Sequence, residues 1–315
     1  MAAESGGNIV WFTYTGADGE VINEEATHII VQARVIRARA FFRHRNIFEV
    51  ICHEDVERIE AEAFTYCRSL RRVIMPNVKV VEQDAFHSCR ALEHLECDKL
   101  ERVECGAFYL CESLRSINLP SARFVDSSAF EYCEALTDVK FGNKLERIEE
   151  SAFEDCVNLE RITIPFKNGL IITNTTFIGC KNLQQVDLIE GELHETIAAL
   201  HLREWRNDMK EEIDSINQIL PSAPAGGWDD EAEEEDPGEK TQAIRGWIRS
   251  VLGKINNYQD KHRRLLEEDF AATLKLVIPN ADIVMNNVLP FLELPSYTFD
   301  VGDDDEEDCD SSDDE

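Results

Sequence analysis

The sequence predicts an α/β repeat: a solenoid of stacked coils with an α-helical C-terminal extension. Three observations carry that prediction. Ala-Phe-x-x-Cys-x-x-Leu occurs five times, at residues 63–70, 85–92, 107–114, 129–136 and 152–159, with weaker copies at 40–47 and 176–183. The seven phenylalanines, Phe41, Phe64, Phe86, Phe108, Phe130, Phe153 and Phe177, are 23, 22, 22, 22, 23 and 24 residues apart. A fixed period in this range is the signature of stacked supersecondary units. Beyond about residue 190 the apolar spacing changes from two to three or four, the period of a helix.

Within a coil, the first element follows the leucine. Leu70-x-x-Val73-x-Met75, Leu114-x-x-Ile117-x-Leu119 and Leu159-x-x-Ile162-x-Ile164 place apolar residues two apart, as in a half-buried strand. Pro76, Pro120 and Pro165 follow, where a strand stops and turns. A second apolar pair then recurs (Val56/Ile59, Val78/Val81, Leu100/Val103, Leu145/Ile148) and predicts a short strand on the opposite wall. The Ala-Phe-x-x-Cys segment closes the coil and is expected to form a helical or 3₁₀ turn. One coil cannot bury its own apolar set, but neighbours bury each other's as ladders. Phenylalanine supplies a spine, alanine keeps the turn tight, and cysteine fills the narrow space beside it. Seven coils at roughly 4.8 Å each give a stack of about 30 Å. The end copies depart from the pattern, with His44 in the cysteine column and Thr176 in the alanine column, as end coils do.

At these residues the chain resembles the BspA-like leucine-rich-repeat family, over about residues 28 to 190. The resemblance implies a curved protein-interaction scaffold without catalytic residues. Where that family often has glycine, four positions before the phenylalanine, this chain has Glu60, Glu82, Glu104, Asp126 and Glu149, with Arg37 and Thr173 in the end copies. Carboxylates recurring every coil repel one another. Arg58, Arg102 and Arg147, two residues earlier, are placed to pair with alternate acids. The column therefore reads as a solvated, partly neutralised outer face. A divalent-cation ladder is the sharper alternative, disfavoured because calcium takes six to eight oxygens around one point. Binding is expected on the other wall, at the exposed strand positions Arg72, Ile74, His94, Glu96, Ser116, Asn118, Asp138, Lys140, Arg161 and Thr163, flanked by Glu49, Ile51, Gln185 and Asp187. Their mixed charge suits a protein surface better than a polyanion.

The expected organisation is a cap region over 1–27, repeats over 28–190, and a first helix over 191–220. An acidic linker over 221–240, a second helix with a terminal helical segment over 241–299, and a disordered acidic tail over 300–315 complete it. The stripe Ala198, Leu202, Trp205, Met209, Ile213, Ile216, Leu220 carries the first helix, and Ile244, Ile248, Val251, Ile255, Tyr258, His262, Leu265 the second. These helices cap the last coil or self-associate; capping is the simpler reading. The Ile283–Phe299 stretch faintly resembles the core of an F-box, which supports an alternative function as substrate adaptor for ubiquitin-dependent turnover.

The 315 residues carry a net charge of −31, and nineteen of the 63 acids lie in residues 229–239 and 300–315. Such a balance argues against nucleic-acid or anionic-membrane partners, which need a basic surface. Met1 opens no apolar signal segment, and no stretch approaches a membrane span. The expected location is cytoplasmic or nuclear rather than secreted, with the ladder cysteines reduced. No phosphate loop, His-Glu-x-x-His or Cys-x-x-Cys is present, and the eight histidines recur at no ligand spacing. The sequence thus predicts a non-enzymatic scaffold for an unidentified protein partner, with no cofactor.

Overall fold

The computed structural model describes residues 9–165, 167, 169–189, 205, 207–209 and 239–265. Nine strands run parallel along the front wall: β1 (Trp11–Tyr14), β2 (His28–Val31), β4 (Glu49–Cys52), β6 (Arg72–Ile74), β8 (His94–Glu96), β10 (Ser116–Leu119), β12 (Asp138–Phe141), β14 (Arg161–Pro165) and β16 (Gln185–Ile189). They form two sheets, β1-β2-β4-β6-β8 and β10-β12-β14-β16. Seven two-residue strands pair in parallel on the back wall: β3 (Val35–Ile36), β5 (Arg58–Ile59), β7 (Val80–Val81), β9 (Arg102–Val103), β11 (Phe124–Val125), β13 (Arg147–Ile148) and β15 (Ile171–Ile172). The predicted solenoid is therefore observed, and its back strands hold the second residue of each expected apolar pair, Ile59, Val81, Val103 and Ile148.

The spine lies between the walls. Consecutive rings from Phe41 to Phe177 stack with centroids 4.9, 5.0, 5.2, 5.2, 5.2 and 5.8 Å apart. Alanine beside each ring is fully buried in the five central coils. The cysteines do more than fill space. Each ladder thiol, Cys67 through Cys180, points its Sγ at the carbonyl of the preceding coil's phenylalanine, at 3.0–3.4 Å. That carbonyl already accepts its own coil's backbone N–H, as Phe64 O does from Cys67 N at 3.0 Å. A serine there would donate a stronger bond but bury a more polar group, whereas the thiol is a weak donor on an apolar body.

The turn corrects the expected helical or 3₁₀ geometry. Residues two before and two after the phenylalanine have left-handed backbone, among them Glu62, Tyr66, Asp84, Ser88, Ser128 and Tyr132, with φ between +54° and +63°. A helical turn would direct its N–H groups to its own carbonyls. Alternating handedness instead aims every second N–H at the next coil: Glu62 N to Gln83 O at 3.0 Å, Phe64 N to Ala85 O at 2.7 Å, Tyr66 N to His87 O at 2.8 Å. Left-handed backbone costs about 1–2 kcal/mol per residue. Leaving three buried N–H groups unmet in every coil would cost more, at about 1–3 kcal/mol each.

Helix α1 (Glu239–Leu265) lies against the last coil. Its buried stripe is Ile244, Ile248, Val251, Leu252 and Ile255, joined by Met209 in the same core. The ammonium of Lys240 donates to the carbonyls of Cys180, Lys181 and Leu183 at 2.6, 3.0 and 2.9 Å. Arg245 bonds Asn174, Tyr258 bonds Asp208, and the Trp205 ring stacks on Tyr258 at 5.1 Å. Capping, the simpler of the two readings, is the arrangement these contacts make. The rest of the first predicted helix, the acidic linker, the F-box-like stretch and the acidic tail lie outside the described residues.

Thiol reactivity tests the ladder directly. Burial pushes the thiols of Cys67 and Cys180 up to about 12, and that of Cys111 well above its ordinary value. In native protein at neutral pH, half-exposed Cys105 is expected to react with maleimide while Cys89, Cys111 and Cys133 stay protected until denaturant is added. Mass-mapped labelling within minutes at any of those three would contradict the coil geometry.

Candidate functional site

The outward positions of the front wall align in rows because parallel pairing keeps register from coil to coil. One row runs Trp11, His28, Glu49, Arg72, His94; the next runs Thr13, Ile30, Ile51, Ile74, Glu96. On the second sheet the rows are Ser116, Asp138, Arg161, Gln185 and Asn118, Lys140, Thr163, Asp187. The ten predicted binding residues therefore share one wall but divide between two sheets. Arg72, Ile74, His94 and Glu96 belong to the first, and the other six to the second.

Their charges are largely answered within the wall. Arg72 contacts Glu49 at 3.6 Å and Glu96 at 3.0 Å; Lys140 contacts Asp138 at 3.0 Å and Arg161 contacts Asp187 at 3.6 Å. Exposed pairs of this kind contribute little, about 0–1 kcal/mol. The apolar content gathers around two rings that the sequence reading passed over. Trp11 is 51% and Phe48 43% exposed, and both flank His28, with ring centroids 4.8 and 5.9 Å away. Half-buried Ile30, Ile51 and Ile74 continue the apolar surface into coil three. Trp11 lies on β1, inside the segment assigned to a cap. The alternation Val10, Phe12, Tyr14 was its only signal, because that half-coil lacks the Ala-Phe signature.

Thr27 Oγ1 meets His28 Nδ1 at 2.9 Å, the sole hint of a hydroxyl–base pair on this wall. The same hydroxyl accepts Val10 N at 2.9 Å and lies 3.3 Å from Val10 O, so it ties β1 to β2. Among the described residues no group of three or more histidines, cysteines, aspartates or glutamates is placed to hold a metal ion.

The acidic column on the back wall is half-buried, not solvated. Its carboxylates meet N–H groups that the alternating turn leaves over. Glu60 accepts Ala38 N at 2.9 Å and Glu82 accepts Ala61 N at 3.1 Å, and Glu104 faces Gln83 N in the preceding coil. The expected arginine pairs form: Arg58–Glu82 at 3.1 Å, Arg102–Asp126 at 3.3 Å and Arg147–Glu149 at 2.9 Å. Burial, then the neighbouring Glu82 and Asp126, push the Glu104 carboxyl up. Burial also raises Asp126 and Glu149 against the pull of Arg102 and Arg147.

A carboxyl raised by folding binds its proton more tightly in the folded chain than in the unfolded one. Its ionised form therefore opposes folding at neutral pH, and that penalty disappears as pH falls toward the unfolded value, near 4.3 for glutamate. Glu104→Gln keeps an oxygen for Gln83 N and removes the charge. Its thermal midpoint is expected to exceed the parent's at pH 7, with the gap closing near pH 4. A lower midpoint at pH 7 would mean that the arginine pairs outweigh desolvation.

Comparison with curated proteins found no match. Among solved structures, a T. pallidum leucine rich repeat protein is 21% identical, with 61% of this chain and 88% of that one covered at a TM-score of 0.45. A leucine-rich repeat protein from Bacteroides ovatus is also 21% identical, covering 50% of this chain and 59% of that one at a TM-score of 0.30. The family described as BspA type leucine rich repeat region matches residues 34–124 and 101–199, in six copies. With its motif, period and coil geometry in agreement over more than half its length, the chain belongs to the BspA-type leucine-rich repeat family.

Proposed function

We propose that this protein is a non-enzymatic scaffold that holds a protein partner on the front wall of its solenoid. The observation that carries this reading is the exposed Trp11–His28–Phe48 cluster, continuous with the Ile30–Ile51–Ile74 row, on a wall whose charges are otherwise paired. Aromatic and aliphatic anchors ringed by polar groups are the usual composition of an interface centre. Arg72, His94 and Glu96 form the polar rim on one side of the cluster, and the Ser116-to-Thr163 positions extend that rim along the stack.

The test compares proteins captured from lysate by the full chain, by Trp11→Ala/Phe48→Ala and by Ser116→Arg/Lys140→Glu, all confirmed folded by circular dichroism. A partner centred on the cluster is expected to lose about tenfold or more of its retention with the first double variant, since interface anchors contribute about 2 kcal/mol or more. The second double variant is expected to retain most of it. Equal retention by the aromatic variant and the parent would overturn the placement.

A further inference from the structure

We propose that residues 300–315, the acidic C-terminal segment, dock in the same chain on Arg43, Arg45 and Arg68 at the N-terminal end of the turn ridge. This inference does not depend on the front-wall reading. A second aromatic ladder runs outside the phenylalanine spine. Phe42, Tyr66, His87, Tyr109 and Tyr132 follow one another with centroids 6.2, 5.4, 4.9 and 5.7 Å apart, each half-buried. At its N-terminal end the guanidinium of Arg43 lies 5.0 Å from the Phe42 ring and 5.3 Å from Tyr66, and Arg68 lies 5.7 Å from Tyr66.

The charge pattern there is unlike the rest of the solenoid. Of its fifteen arginines, eleven form an ion pair with a carboxylate among the described residues. The four that do not are Arg43, Arg45, Arg68 and Arg115, and the first three sit together and exposed. Three adjacent arginines without an ion pair among the described residues are unexpected in a chain with 63 acids and 32 basic residues.

The same end is an unfinished stack. In the second coil the carbonyls of Ala61, Ala63 and Thr65 accept the N–H groups of Arg39, Phe41 and Arg43. Among the described residues, the equivalent carbonyls of the first coil, at Ala38, Ala40 and Phe42, accept no backbone N–H. His44, which replaces the ladder cysteine, bonds Asn23 O at 2.9 Å through Nε2, while its Nδ1 is buried without a partner. These groups border a cavity of about 420 Å³ whose lining includes Ala40, Phe42, Arg43, His44 and Arg45, with Glu24 as its one carboxylate. Acidic peptide answers both needs: backbone N–H groups for the carbonyls and side-chain carboxylates for the arginines.

Chain length selects which acidic segment reaches. Residues 229–238 lie within eleven positions of Lys240, which is fixed on the last coil, and the stack is about 30 Å long. Their outermost residues could span that distance only fully extended. The 34 residues from 266 to 299 separate α1 from the eleven acids of 300–315. At roughly 3.3 Å per residue their contour reaches about 110 Å, more than the length of α1 and the stack together, so this segment reaches the N-terminal end from the end of α1. Phosphorylation of Ser311 or Ser312 would add negative charge and tighten the contact.

Cys309 lies in the segment and permits a direct test. In full-length Cys105→Ser protein, Cys309 is coupled to a benzophenone maleimide, irradiated and mapped by mass spectrometry. Cross-links within one chain to residues 40–46 or 66–68 are expected, falling about fivefold or more in roughly 0.5 M salt, where exposed ion pairs are screened. They are expected to fall equally in Arg43→Glu/Arg45→Glu/Arg68→Glu and to persist in Arg115→Glu. Cross-links scattered over the body, or indifferent to salt and charge reversal, would overturn the proposal. So would links found only between isotopically distinct chains, which would assign the segment to a second copy.

Discussion

Phe108→Ala is expected to lower stability by about 3–5 kcal/mol. Phe108 is fully buried, and its ring stacks on Phe86 and Phe130 at 5.2 Å on both sides, within 3° and 2° of parallel. Removing it opens a void that neither neighbour can fill without leaving its own place in the stack. A compact domain can collapse around a lost ring, but a ladder fixed by inter-coil bonds such as Phe108 N to Ala129 O, at 2.8 Å, cannot. Phe42 is the paired control: half-buried on the outer ridge, it should lose well under half as much. Chemical unfolding of both variants checks this, and a Phe108→Ala midpoint near the parent's would remove the spine as the main source of stability.

The same ladder explains what was legible in the sequence. Phe, Ala, Cys and Leu at a fixed period reveal the stack because each coil faces a copy of itself, so one packing solution is written seven times. The turn was not legible. Left-handed backbone is carried by Glu62, Asp84, Ser128 and Ser151 as well as Gly106, and a handedness imposed by inter-coil hydrogen bonds leaves no fixed residue type. The acidic column was visible as a column but not as a set of half-buried acceptors, because the unpaired N–H groups it meets exist only once the turn is built. Of the front wall, the rows from Arg72 to Thr163 could be read from strand alternation. Its exposed aromatic pair could not, since the half-coil of Trp11 lacks the Ala-Phe signature and Phe48 stands where later coils carry Arg71, Glu93, Arg115, Thr137 and Glu160.

Lys240 carries the second large prediction. Lysine in the first turn of a helix opposes the macrodipole, so helix propensity does not explain it at the start of α1. The residue is 8% exposed, and burying an ammonium is itself unfavourable by several kcal/mol. Three carbonyls of the last coil, Cys180, Lys181 and Leu183, offset that penalty by accepting its hydrogens. Those carbonyls meet Lys240 where the stack ends, so the side chain does for the final coil part of what a further coil would do. Lys240→Met keeps the apolar stem and removes both the charge and the donors. The desolvation term then vanishes as well, and what remains is the cost of leaving the Lys181 and Leu183 carbonyls without this donor, about 2–6 kcal/mol in total, since Cys180 O keeps Leu183 N at 3.2 Å. The loss should be local before it is global: amides of Cys180, Leu183 and Gln185 are expected to exchange hydrogen faster by tenfold or more, while those around Phe86 change little. Unchanged exchange in the last coil would show that α1 is held by its apolar stripe alone, with Lys240 dispensable to the cap.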